Sequence, residues 1–563
     1  MPMSEILFQY HRVHPTTWVY LSSLLMIGLY FKFGRFWSVR NLDLVLLILL
    51  APGLLMAQYG GEVGVKARRM AVLESQRRLE QSPAQAEHSP AEQAQLVKDA
   101  IPRLLEAWEA RRKAAEETQL EADRAEPEPW DDVDLEPESP ETVPQEVVGP
   151  AEESDRSPED ADAIADVVPP ASPESAARQL LEHSRQIERL GYLWLLAVGA
   201  LLLLRLLLDT TMVRRPLLEP NLSSGGLTFI GVSLFVFLMA NVWVSEPLAL
   251  ERLDEIALER LEDPESFVQN SGGIIRRGPG YALLNLIPSI PTSPLVPEGA
   301  EAHQPGRRLI IAKLIAIFCH LALILGIVGI GYWHFGNMKT GIGTATLCLM
   351  LPYTAQMTGH IEHVIPSGLL VWAVLCYRRP LTSGMFIGLA TSLVYYPLFL
   401  LPLWISFYWR KGVMRFVSGV VASLVVMAIL LYFIPETSYL ENLQKMFGIW
   451  LPYMDDLEGI WGLGWNPIYR IPVIAAFVAM CGTMAIWPAQ KNLGSLISCS
   501  AAVMVATQFW HGFGGGMYIG WYLPLLLLTI FRPNLEDRIA QSVLGEGWLP
   551  RRLVGAANGM KDS

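Results

Sequence analysis

The chain has 563 residues, of which 52% are hydrophobic and 17% charged, and its formal net charge is -12. That balance excludes an ordinary soluble enzyme, and no nucleic-acid partner is expected. All five cysteines, Cys319, Cys348, Cys376, Cys481 and Cys499, lie inside apolar runs, so packing rather than a disulfide framework accounts for them.

The apolar residues fall into runs at 16–34, 41–59, 190–208, 227–244, 309–333, 341–357, 363–377, 383–409, 413–434, 469–487, 493–510 and 516–531. About 20 helical residues cross a hydrocarbon core of roughly 30 Å. The runs are continuous and do not alternate, which implies helices rather than a barrel. The expected fold is an all-α integral membrane protein, a polytopic bundle of about 11–13 transmembrane helices with a disordered acidic insert. The first run lacks a basic leader and a small-residue cleavage site, so it is expected to stay in the mature protein.

Four regions follow: an N-terminal helix pair over 1–60, an insert over 61–188, a membrane core over 189–535, and a C-terminal tail over 536–563. Within the insert, Leu96, Leu104, Leu105 and Trp108 have helical spacing, and 62–124 predicts one or two exposed amphipathic helices. From Glu116 to Glu174 the chain is strongly acidic, with only Arg124 and Arg156 as bases. From Glu126 to Pro173 no period survives and prolines punctuate the chain, so this stretch reads as a disordered, solvated spacer. It can also bind a basic partner or divalent ions, but it is no catalytic domain.

Lys32, Arg35 and Arg40 place the first loop in the cytoplasm by the positive-inside tendency, and the insert then lies outside. Arg214 and Arg215 return to the cytoplasm. The segment from Ser245 to Arg308 lies outside and Lys339 inside. Arg307, Arg308 and Lys313 argue mildly against this arrangement. Arg378-Arg379 and Arg410-Lys411 flank one apolar run at both ends, which a single crossing would put on opposite sides. Tyr395-Tyr396-Pro397 sits near the middle of that run, and proline lacks an amide donor and disfavours helix before it. The run from Ser383 to Trp409 therefore reads as a hairpin with both ends cytoplasmic. The C-terminus from Arg532 is then cytoplasmic as well.

This topology gathers polar candidates on the outer face. His360, Glu362 and His363 lie in one short turn; histidines three apart share a helical face and can ligate a metal, although no complete ligand set accompanies them. Asp455 and Asp456 can act as a general base or pair with a divalent cation; an acidic turn between interfacial aromatics is also ordinary solvation. Trp461 and Trp465, with Trp450, Tyr453 and Tyr469, can stack on a sugar ring or anchor an aromatic belt. His511 lies in a Gly-rich turn.

Gly359-His360-Ile361-Glu362-His363, a helix ending at Arg378-Arg379, Ser383-Gly384 through Gly388-Leu389-Ala390, and Tyr395-Tyr396-Pro397 together resemble a known pattern. They are similar to the polyprenyl-phosphate-sugar-dependent glycosyltransferases of the GT-C class, most closely the bacterial α-1,2-mannosyltransferase-like branch. Gly359, Gly384, Gly388, Ala390 and Pro397 match, and Gly520-Trp521-Tyr522-Leu523-Pro524 is similar to a late Trp-Tyr-x-x-x-Leu-Pro helix. The Gln and Asn of the family's turn are His360 and Glu362 here, its lysine is Val394, and its Asp-Phe-x-x-Tyr-Tyr signature is missing. Small-xxx-small packing produces part of such a pattern without shared chemistry.

The resemblance implies a GT-C core from about residue 227 and a catalytic carboxylate just outside the helix that ends at Val244, where Glu246 stands. It further implies a juxtamembrane helix over 251–266 and a return to the membrane over 280–297. In the implied inverting transfer, a carboxylate takes the acceptor proton while a lipid phosphate leaves. Glu246, Asp455 and Asp456 are the catalytic candidates; Arg276, Arg277, His360 and His363 would steady the phosphate. No cofactor is identified; the acids could accept a divalent cation. The implied partner is a polyprenyl-phosphate sugar at the outer face of the cytoplasmic (inner) membrane. A non-enzymatic scaffold with an acidic partner-binding arm, or a transporter built around the broken 383–409 run, are the competing expectations.

Overall fold

The computed structural model describes residues 15–80, 173–209, 211, 219–244, 304–432, 439–440, 443, 457, 459–488, 491–512 and 515–533. Its helices are α1 (Pro15–Tyr30), α2 (Val39–Glu80), α3 (Pro173–Asp209), α4 (Ser224–Val244), α5 (Gln304–Trp333), α6 (Met338–Met350) and α7 (Pro352–Gln356). They continue with α8 (Ile361–Leu375), α9 (Pro380–Leu393), α10 (Leu401–Tyr408), α11 (Val413–Leu431), α12 (Arg470–Ile486), α13 (Leu493–Trp510) and α14 (Leu523–Phe531). Seven stretches of the described residues are long and apolar enough to cross a membrane: Val39–Gly61, Arg178–Asp209, Ser224–Trp243, Lys313–Trp333, Val413–Leu431, Pro467–Ile486 and Leu493–Trp510. His363–Leu375, Pro380–Leu393 and Tyr396–Tyr408 add shorter apolar helices. The protein is an all-α polytopic bundle.

Two compact units divide the chain. The first, Met1–Val63, His183–Leu253 and Glu265–Ser563, contains the bundle; the second comprises Gly64–Glu182 and Asp254–Pro264, and its described residues, 64–80 and 173–182, are helical. The 61–188 insert is thus helical at both flanks. Its acidic Pro-rich stretch lies outside the described residues, as do the expected juxtamembrane helix over 251–266 and the expected return to the membrane over 280–297.

Local sequence explains how the helices pair. On α2, Gly53, Ala57 and Gly60 form a small-residue seam that lets α3 approach backbone to backbone. A Cβ on Gly191 would lie 2.4 Å from the Ala57 nitrogen, and one on Gly60 would lie 2.7 Å from the Glu188 nitrogen. The order of these contacts makes the pair antiparallel. On α9, Gly384 and Gly388 do the same against α11: their Cβ atoms would meet the Phe416 and Val420 carbonyl oxygens at 2.1 and 2.7 Å. On α11, Gly419 answers with 2.2 Å to the Leu381 oxygen.

The order of these last contacts makes α9 and α11 parallel, so the chain between them has to return. It leaves helical geometry at Val394 (φ -141°, ψ 121°), makes a 3-10 turn over Tyr396–Leu400 with Pro397 in its first turn, and comes back as α10. Tyr408 Oη donates to the Tyr377 carbonyl at 2.6 Å, and a Cβ on Gly412 would meet the Pro380 ring at 2.7 Å. Arg378-Arg379 and Arg410-Lys411 therefore sit at one end of a hairpin. Cysteines placed at positions 380 and 411, in a background lacking the five native cysteines, should label from the same side with an impermeant reagent. Labelling of one position from outside and the other only after lysis overturns the hairpin.

Two predicted spans are divided more finely than their hydropathy shows. Pro352 has no amide to continue α6, so the 341–357 run breaks at Leu351, whose backbone is extended. The 516–531 run is helical only in the 3-10 turn Ile519–Trp521 and in α14, which begins with Pro524 in its first turn.

One end of the bundle is held by buried charge. The Arg205 guanidinium bonds both Asp43 oxygens at 2.8 and 3.0 Å and Asp209 at 3.0 Å, and Arg532 meets the other Asp209 oxygen at 2.5 Å. This chain ties α2, α3 and the residue after α14 together. Arg40 donates to the Glu219 carbonyl at 2.8 Å, and Lys491 donates to Ser406 Oγ at 3.0 Å. Burial pulls the Lys491 ammonium below the ordinary lysine range. The loops that positive-inside reasoning placed together, at 32–40, 410–411 and 532, meet at this arginine end, where Lys491 also lies.

Candidate functional site

The opposite end carries histidines. His360 stands at the N-cap position of α8 and His363 sits in its first turn, their ring centroids 5.6 Å apart. Tyr353, set by the Pro352 start of α7, brings its Oη to 2.5 Å from His363 Nδ1. Tyr518 stacks on His363 at 4.7 Å and 13°. His511, which ends α13, lies 4.8 Å from the same Tyr518 ring and 4.8 Å from Tyr396 in the hairpin turn. Trp521 closes the group, 4.4 Å from Tyr518 and 5.3 Å from Tyr396.

Buried polar groups fix these rings. Gln508 Oε1 accepts from the backbone nitrogens of Gly516 and Tyr518 at 3.2 and 3.3 Å, which pins residues 516–518 against α13. Arg470, only 3% exposed, donates through Nε and one terminal nitrogen to the Trp510 carbonyl at 3.2 and 2.9 Å. A fixed cation therefore stands beside the last turn of α13. Below His363, a cavity of about 30 Å³ is lined by His320, Tyr353, Thr354, Ser367 and Gly520 among others, room for a water or two.

Of the sequence candidates, His360, His363 and His511 are brought together. Trp461 joins them through α13, since its Nε1 donates to the Phe509 carbonyl at 3.1 Å. Trp465 has a different neighbour: the Arg189 guanidinium lies 5.7 Å over its ring. Glu246, Arg276, Arg277, Asp455 and Asp456 lie outside the described residues, and so does the Glu362 side chain. Among the described residues no group of three or more His, Cys, Asp or Glu side chains is placed to hold a metal ion.

Sequence reasoning missed Tyr353, Tyr518 and Arg470 as members of this end. Arg470 gave little signal, because an arginine at the end of an apolar span ordinarily snorkels to the interface, and its burial shows only in the fold. The two tyrosines had none beyond their neighbouring Pro352 and Gly520. Fold and site define a multi-pass helical membrane protein with a histidine and aromatic cluster at one end. No protein-family profile, curated protein or solved structure matches the chain.

Proposed function

We propose that the protein is a GT-C-like membrane glycosyltransferase that takes a sugar from a polyprenyl-phosphate donor at the outer face of the cytoplasmic membrane. One observation carries the reading. Two parts of the resembling sequence, the 359–363 segment and the Tyr395-Tyr396-Pro397 turn, are far from 520–524 in the chain and lie beside it at the histidine end. A Cβ on Gly520 would lie 2.7 Å from the His363 carbonyl oxygen, and Trp521 faces Tyr396.

The chemistry gathered there suits the substrate. Imidazole and guanidinium groups donate to a departing phosphate, and aromatic faces stack on a sugar ring. The carboxylate that takes the acceptor proton comes, in this reading, from Glu246, Asp455 or Asp456. As the acceptor oxygen attacks the anomeric carbon, the bond to the lipid phosphate breaks and the phosphate keeps the electron pair. The hairpin also suits a transporter, because discontinuous helices line transport sites.

Purified full-length protein in proteoliposomes separates the readings. Incubated with a panel of polyprenyl-phosphate sugars and acceptor glycans or lipids, it should release lipid phosphate and form a glycoside. No transfer with any donor removes the proposal; uptake of free solute without transfer moves the assignment to transport, and inactivity in both assays moves it to a scaffold.

A further inference from the structure

The arginine end presents two exposed turns that the proposed chemistry does not use. In the first, between α1 and α2, Phe33, Phe36 and Trp37 are 71%, 60% and 95% exposed, with Arg35 exposed among them. In the second, between α10 and α11, Trp409 and Met414 are 70% and 79% exposed beside exposed Arg410, Lys411 and Arg415. A continuous set of contacts places both turns at this end. It runs from Ser406 through Lys491 to Asn492, whose side chain caps α13. A Cβ on Gly494 would collide with the Arg532 guanidinium, and Arg532 leads through Asp209 and Arg205 to Asp43 on α2.

The charge at this end is one-sided for a structural reason. Asp43 and Asp209 are 2% and 0% exposed and face inward onto Arg205 and Arg532, which leaves Glu219 as the exposed acid beside these turns among the described residues. Large exposed aromatics beside exposed cations match a headgroup layer, where rings lie at the level of the glycerol and cations meet lipid phosphate. Neutral lipids would satisfy the rings but not the cations.

We infer that the two turns form a docking surface for anionic phospholipid headgroups, so that the protein selects acidic lipids from the leaflet its arginine end faces. This does not depend on the glycosyltransferase reading. Each basic side chain near a charged bilayer favours acidic lipid, and four together should give about fivefold or greater enrichment.

The test uses full-length protein in nanodiscs of nine parts phosphatidylcholine to one part phosphatidylglycerol, with lipids retained after detergent exchange counted by mass spectrometry. Wild type should retain phosphatidylglycerol about fivefold above its bulk share, and 1 M NaCl during exchange should cut the enrichment by screening. The variant R35Q/R410Q/K411Q/R415Q should retain the two lipids in bulk proportion. Bulk proportion in wild type, or undiminished enrichment in the variant, overturns the inference. If the variant fails to fold, the wild-type salt response decides: enrichment that survives 1 M NaCl overturns it. A copy-to-copy contact through these turns, seen as a cross-linked dimer lost in the variant without lipid enrichment, overturns it too.

Discussion

Asp209→Asn should lower the stability of the folded bundle by about 3–5 kcal/mol, the range for removing one partner from a buried ion pair. Asp209 is fully buried and accepts from two guanidinium groups, Arg205 at 3.0 Å and Arg532 at 2.5 Å. An amide of the same shape keeps the packing but takes the carboxylate from beside buried Arg532 and leaves Arg205 with Asp43. The cost is therefore electrostatic. Relief should come from removing a cation: Asp209→Asn with Arg532→Met should recover part of the loss, because the sites interact directly and their effects do not add. Thermal unfolding in one detergent, followed by loss of monodisperse protein, reads both variants. A single variant within about 0.5 kcal/mol of wild type would mean that the chain of charges is solvated and contributes little.

The same ion chain marks the boundary of what sequence could reveal. Spans were legible because apolar length is a local property, and the hairpin was legible because Arg378-Arg379 and Arg410-Lys411 contradicted a single crossing. The partners of a buried charge are not local. Asp43 and Arg205 are separated by 162 positions and an acidic insert, yet they form a bidentate pair. His363 and His511 likewise share Tyr518 only because α8, α13 and the turn before α14 converge. Gly384 and Gly388 carry a different lesson. In the sequence they belong to a family-like pattern, while in the fold they are where α9 meets the α11 backbone. Packing alone accounts for them, so the functional weight of the resemblance shifts to the 359–363 and 520–524 segments.

If the proposed transfer is what the protein does, its activity should collapse when the general base of that reading is neutralised without a change of shape. Carboxylate base catalysis contributes about 10²- to 10⁴-fold, so one of Glu246→Gln, Asp455→Asn or Asp456→Asn should lose turnover by that factor while still folding. A carboxylate that only solvates a loop tolerates the same change within about 0.5 kcal/mol of stability. His360→Ala should behave differently from either. His360 is half-buried and lies against His363; if it steadies the leaving phosphate, its loss lowers kcat with little change in KM, because that charge develops in the transition state. Tyr353→Phe separates chemistry from packing, since it keeps the ring and deletes only the hydroxyl that meets His363 Nδ1. With membranes at matched expression, full activity in all three carboxylate variants and in His360→Ala would remove the site assignment even if wild type transfers sugar. A loss confined to Tyr353→Phe and His360→Ala would keep the histidine end as the site and send the search for the base beyond Glu246, Asp455 and Asp456.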